Sequence, residues 1–316
     1  MKNSQFSFLA RFPVFEILIR LVYKYFLFRI SSLDDLKAKF FRPTVSCANK
    51  HFDLSDLRRS ICSYGIKEGD FLLVHSSMKQ LHSLGVKPSE VIKMFLDILG
   101  PSGTLVMPAF PKYSDNLSTD STSSVTNFIP TYDLRRSMPS TGILPFKLMR
   151  LPGAVRSSFP LNSLVAFGPR TSEMFSRELT DDCESPCGIN SAWNYCARHN
   201  CKILMLDVDL AHNLTMIHVA EDSYEDSWNI PNWYRNRIFN VINEGNSCQV
   251  SVRQRRPFWA SFYAEKRLNH DLLCSHIASQ TFCESISLVF LESNHLVEFL
   301  SKKKLPYPYM IPFFLC

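Results

Sequence analysis

Three apolar runs constrain this chain more than any other feature. They are "FLLVHSS" (71–77), "GTLVMPAF" (103–110) and "KILMLDVD" (202–209), and they carry little polar alternation. A strand with one wet face alternates, whereas a run that is apolar on both parities is buried on both faces, as strands of a parallel sheet are. Between the first two runs lies "KPSEVIKMFLDILG". Its apolar residues recur at three and four, Pro88 and Ser89 open it, and Gly100 stops it. Strand, loop, helix, strand over 71–110 is a crossover unit, which joins parallel neighbours. The expected fold is α/β: a central mixed β-sheet flanked by helices, in a single large domain. The three runs should lie side by side or nearly so.

Other elements follow from local signals. "DLSDLRRSICSY" (53–64) reads as a helix with Asp53 or Ser55 as N-cap, and "STGILPFKLMRLP" as a short helix closed by Pro152 and Gly153. The stretch 111–128 is rich in Ser, Thr, Asn and Asp and reads as a long polar binding loop. Residues 223–300 give short, weak signals.

The chain has 316 residues and a formal charge of +6, with a mean hydropathy of −0.06. Its length suffices for one large core with appendages, and its composition is that of a globular protein. Residues 1–50 hold nine Lys/Arg against three Asp/Glu, and the rest of the chain holds twenty-six of each. The basic excess therefore belongs to an N-terminal arm, and residues 51–316 form the neutral α/β domain. Nucleic acid is a poor partner for such a domain. Within the arm, "PVFEILIRLVYKYFLFRI" (13–30) reads as one helix with a polar stripe of Glu16, Arg20 and Lys24. The plain structural reading packs it on the domain or on a partner subunit. The functional reading is an in-plane membrane anchor. No apolar run is long enough to span a bilayer.

The ten cysteines form no C-x-x-C pair. In a long chain that is not loop-dominated they read as reduced, in a cytoplasmic protein with membrane association open. Cys183, Cys187, Cys196, Cys201 and His199 fit no usual zinc knuckle, so no metal is expected.

Three stretches could carry chemistry. Ser76 and Ser77 lie where a buried strand gives out, the usual ligand-binding end of an open α/β sheet; a plain capping turn is the competing reading. Arg156 and Ser157 follow a Pro-Gly turn, where an arginine either fixes an anion or lies in a surface loop. In "NLTMIHVAED" (213–222), Thr215, His218 and Glu221 fall at i, i+3 and i+6, roughly one helical face. There a carboxylate can hold the tautomer of an imidazole base. Cys183 or Cys187 paired with His218 as a nucleophile is disfavoured, because the acids in "DDCESPCGIN" raise a thiol pKa.

In order along the chain come "LLVHSSMKQLHSLG", "GTLVMPAF", "YDLRRSMPSTGILPFKLMRLPGAVRS", "FPLNSLVAFGP", "SPCG" and "TMIHVAE". Over residues 53–222 this series resembles the aminoglycoside 3-N-acetyltransferase family. The resemblance implies an acetyl-CoA-dependent enzyme that acylates an amine on an aminoglycoside or related amino sugar. It gives the serine-bearing loop to coenzyme A, so His75, Ser76, Ser77 and Gly85, with Pro108, are expected to line that site. Asp133 and Arg156 are expected to face the acceptor. His218 is implied as general base, with Glu221 as its partner and Thr215 as donor to a developing oxyanion. One departure stands out: where the family carries histidine before proline, this chain has Phe159. The alternatives are a decayed member acting as a binding or scaffold protein, or an N-acyltransferase of surface-polysaccharide amino sugars.

Overall fold

The computed structural model describes residues 8–22, 52–113, 129–180, 183–223, 228, 230–304 and 306–312. The polar loop read from the sequence falls mostly outside these residues, as do Lys24 and the second half of the predicted arm helix.

Seven strands form the main sheet: β1 (Phe71–Ser76), β2 (Thr104–Pro108), β4 (Val155–Arg156), β5 (Leu164–Phe167), β6 (Lys202–Leu206), β9 (Ala278–Cys283) and β10 (Ile286–Glu292). Their order is β4-β5-β2-β1-β6-β10-β9. The three apolar runs are adjacent, with β1 parallel to both β2 and β6. β5 and β10 flank them antiparallel, which makes the sheet mixed. A second sheet contains β3 (Thr131–Asp133), β7 (Tyr234–Asn243) and β8 (Asn246–Arg255).

The reason for the unbroken apolar runs is visible in the packing. Leu73, Val106, Ile203 and Met205 point into one core, with Trp193, Leu268 and Leu296. Leu72, Val74, Leu105, Met107, Leu204 and Leu206 point into the other, with Leu57, Phe95 and Leu148. Both parities of each strand are therefore buried, at about 1.5–3 kcal/mol per large side chain.

Helix α1 (Pro13–Val22) belongs to the arm. α2 (Leu54–Cys62) is capped by Asp53, which accepts the Ser55 N–H. α3 (Pro88–Leu99) begins with proline and stops at Gly100, whose φ of 60° suits a residue without Cβ. The remaining helices used below are α4 (Ala192–Arg198), α5 (His218–Ser223), α6 (Glu265–Cys274) and α7 (Ser293–Ser301).

Two local expectations need correction. The run 202–209 stops being strand at Leu206, because Asp207 turns left-handed at φ 56° and Asp209 caps a short helix, accepting the His212 N–H. The C-terminal region, weak in sequence, holds the longest hairpin. Each of β7 and β8 has ten residues, and Glu244 and Gly245 both take positive φ in the two-residue turn. Its signal is weak because exposed and part-buried polar residues dominate both strands.

The arm helix is docked on the domain. Glu16 accepts the Lys266 N–H, and Arg20 donates to the Tyr263 and Ala260 carbonyls at 2.7 and 3.3 Å. Among the described residues, no helix is long and apolar enough to cross a membrane.

Candidate active site

The chain leaves β6, passes the short helix Leu210–Asn213, and makes a 3-10 turn over Thr215–Ile217 that runs into α5. Met216, Ile217 and Val219 plug this segment into the core and turn its polar edge outward. Thr215 and His218 thereby line one cavity of about 190 Å³, with Arg255, Ala260, Tyr263, Glu265 and Tyr309. Glu221 stands behind His218, almost wholly buried.

The His218 Nδ1 atom lies 3.0 Å from Glu221 Oε1 and 3.0 Å from the Arg255 Nη1 atom. Guanidinium only donates and carboxylate only accepts, so the ring proton decides between them. The two Arg255 Nη1 hydrogens are taken by the Tyr309 hydroxyl and by Glu221 Oε2 at 3.3 Å. The Tyr309 hydroxyl in turn donates to Glu221 Oε1 at 2.8 Å. In the tautomer with the ring proton on Nδ1, facing Glu221, the Nε2 lone pair is left for a substrate proton.

Burial, then the nearby Arg255 charge, lowers the His218 pKa below 6.5, with Glu221 opposing. The ring is thus neutral at neutral pH, as a base must be. Burial alone would raise the Glu221 pKa, but His218, Arg255 and the Tyr309 hydrogen bond outweigh it and hold the carboxyl below its ordinary value. Next to it, Asp222 is pushed up to about 7 by burial and by the Glu221 charge. Asp222 accepts from the Tyr234 hydroxyl at 2.8 Å and from the Cys187 N–H at 3.1 Å.

Arg255 and Tyr309 were invisible to sequence reasoning. Arg255 closes β8 in "RQRR", and Tyr309 lies near the C-terminal end of the described chain. Tyr309 is held by rings of Trp228, Trp233 and Tyr263, with centroids 5.8, 4.9 and 5.3 Å away. The available sequence signal was the concentration of aromatic residues over 228–263, which marks a packed unit without naming its partner.

Other expected site residues sit elsewhere. Ser76 ends β1, and the Ser77 hydroxyl accepts the Lys79 N–H, the capping-turn role. Gly85 takes φ 81° in the turn after it, and Pro108 ends β2 with its carbonyl accepting from Thr141. His75 is buried, 6.1 Å from the Trp193 ring, with its Nε2 unpartnered. Burial pushes its pKa down to about 3, so it stays neutral.

Arg156 is not a surface arginine, and its hydrogen bonds among the described residues go to backbone carbonyls. It is 8% exposed and donates to the carbonyls of Ala109, Ser137 and Leu134 at 2.6, 2.5 and 3.2 Å. Asp133 accepts the Arg135 and Arg136 N–H groups in a turn. Neither is among the residues lining the His218 cavity. The Cys187 thiol is fully buried and its pKa is raised well above 9, first by burial and then by Asp222, so it is no nucleophile. Among the described residues no group of three His, Cys, Asp or Glu could hold a metal.

The family model for aminoglycoside 3-N-acetyltransferases matches residues 73–303. The chain belongs to that family. Aminoglycoside N(3)-acetyltransferase IX of Micromonospora chalcea is 28% identical over 174 residues, which cover 53% of this chain and 60% of the relative. Aminoglycoside N(3)-acetyltransferase IV of Salmonella sp is 29% identical over 196 residues, covering 62% and 67%. The matched segment thus spans only about 60% of the length of the first of these relatives. Two solved structures share the fold. One is aminoglycoside acetyltransferase AAC(3)-IIb, with a TM-score of 0.66 and 18% identity over 81% of this chain and 100% of that one. The other is AAC-IIIb in a binary complex with CoASH, with a TM-score of 0.63 and 20% identity over 78% and 93%. Within this aminoglycoside 3-N-acetyltransferase fold, Phe159 is 3% exposed and packs with Tyr132, Phe239 and Val241 beneath the second sheet. An apolar ring suits that place, whereas an imidazole would need a buried polar partner.

Proposed function

We propose that the chain is an acetyl-CoA-dependent N-acetyltransferase acting on an amino group of an aminoglycoside or a related amino sugar. The observation that carries this is the His218–Glu221 pair, 3.0 Å apart, with His218 in a cavity that it shares with Thr215. Family membership supports the reading, and one structural neighbour is a coenzyme A complex.

The cavity walls fit the acetyl end of a thioester: Ala211, Leu214 and Ile217 are apolar, and Thr215 and His218 are polar. At about 190 Å³ the described cavity holds the reacting groups and not a whole aminoglycoside. When bound, the thioester supplies an activated acetyl carbonyl. His218 Nε2 takes the proton of the acceptor amine as the C–N bond forms. Glu221, through Nδ1–H, stabilises the imidazolium. As the C–S bond breaks, the imidazolium returns its proton to the departing thiolate. Arg255 and Tyr309 keep Glu221 ionised and aimed. In this reading Thr215, which lines the same cavity, donates toward charge developing on the carbonyl oxygen. The intact His218–Glu221–Arg255–Tyr309 network favours an enzyme over a decayed scaffold.

The test is thiol release from acetyl-CoA against a panel of aminoglycosides and simple amino sugars, with acetyl-CoA binding measured in parallel by calorimetry. Binding with turnover on a panel member supports the proposal. Binding without turnover on any acceptor supports the scaffold reading.

A further inference from the structure

Helix α1 is docked the wrong way round for water. Its polar residues face the protein: Glu16 is 7% exposed, and Arg20 is held by Glu16, Glu265 and two backbone carbonyls. Its apolar side faces out. Phe15, Leu18, Ile19 and Val22 are exposed, Ile19 by 61%, as are Phe8 and Phe12 just before the helix. The rings of Phe8, Phe12 and Phe15 gather within 5.1–6.4 Å of one another. Residues 8–22 thus account for much of the large apolar surface exposed among the described residues. A contiguous apolar patch of this kind marks a contact surface.

Charge says what covers it. The arm's 1–50 segment carries nine Lys/Arg against three Asp/Glu, while the rest of the chain is balanced. Arg11, exposed beside the Phe12 ring at 6.0 Å, sits at the rim of the patch. Aromatic and branched side chains on one face, flanked in sequence by Lys2, Lys24 and Arg29, match an anionic lipid interface. A second copy of this chain would bring two like-charged arms together. We propose that the outer face of α1 beds into the headgroup and upper acyl region of an anionic bilayer and seats the protein there as a peripheral membrane protein. This holds whether or not the acyl-transfer reading does. Its bearing on that reading is positional: Glu265, which grips Arg20, also lines the His218 cavity.

The full-length protein should be spun with vesicles of phosphatidylcholine alone and with vesicles that also contain phosphatidylglycerol. It should bind the anionic vesicles roughly tenfold better or more, and lose binding as salt is raised. Phe15→Glu with Ile19→Glu should leave the protein in the supernatant, with its melting temperature and turnover unchanged. Ile19→Trp, which keeps the face apolar, should still bind and shift its emission to the blue on anionic vesicles. The proposal fails if the wild type ignores both vesicle types, or if the double-glutamate protein pellets as the wild type does. It also fails if the glutamates instead split a dimer seen by sedimentation in a protein that never binds lipid, since the face would then belong to a second copy.

Discussion

The Tyr309 hydroxyl donates to Glu221 Oε1 at 2.8 Å, across 88 residues of sequence. The carboxylate that backs His218 is therefore aimed by the far end of the described chain. A hydrogen bond to a charged group contributes about 1.5–3 kcal/mol.

Tyr309→Phe keeps the ring inside its Trp228, Trp233 and Tyr263 setting and removes only the hydroxyl. Turnover should fall about tenfold to a hundredfold, following that energy. Acetyl-CoA affinity, measured by calorimetry, should stay near the wild-type value. A loss confined to acetyl-CoA affinity would place Tyr309 in the binding site and not behind the base.

This relationship shows where sequence reading stops. Thr215, His218 and Glu221 are close in sequence, so their proximity could be read from spacing; the single helical face could not, because Thr215 sits in a 3-10 turn and Glu221 is buried behind His218. The strands β1, β2 and β6 were legible because each is buried on both faces. Arg255 and Tyr309 reach the site only through the β7–β8 hairpin and the aromatic cluster, and no local pattern encodes those contacts. Arg156 shows the same limit: its type suggests a ligand, and no local pattern encodes the three backbone carbonyls that take its two terminal nitrogens.

His218→Ala should lower turnover at least about a hundredfold while acetyl-CoA still binds. The pH profile gives a sharper check. Burial and Arg255 hold the imidazole below 6.5, so kcat/KM should fall only as the pH drops below that value. Arg255→Gln removes one of the two depressing causes and should move the acid limb upward, toward 6.5. A limb that stays in place would mean that another group sets it.

Phe159→His restores the histidine that the family pattern leads one to expect, and it should not help. The ring is enclosed by Tyr132, Phe239 and Val241. Burying an unpaired imidazole there should cost about 1–3 kcal/mol of stability, read as a lower melting temperature. Turnover per folded molecule should be unchanged. A rise in turnover on any acceptor would show that position 159 reaches the reaction after all.

Asp222 predicts a pH dependence of stability. Burial first, and the neighbouring Glu221 charge second, push its folded pKa up to about 7, from an ordinary value of 3.8. Between those values the folded protein holds a proton that the unfolded chain has released. Stability is then lost as the pH rises through this window, and the full penalty is present above about 7. Asp222→Asn removes the charge while still accepting a hydrogen bond from Tyr234 or from the Cys187 N–H. Loss of the other bond adds an offset that does not vary with pH. The melting temperature of Asp222→Asn relative to wild type should therefore climb from acid pH and level off above about 7. Thermal melts of both proteins from acid to mildly alkaline pH would measure it, and a difference that is flat throughout would mean that Asp222 is already ionised in the fold.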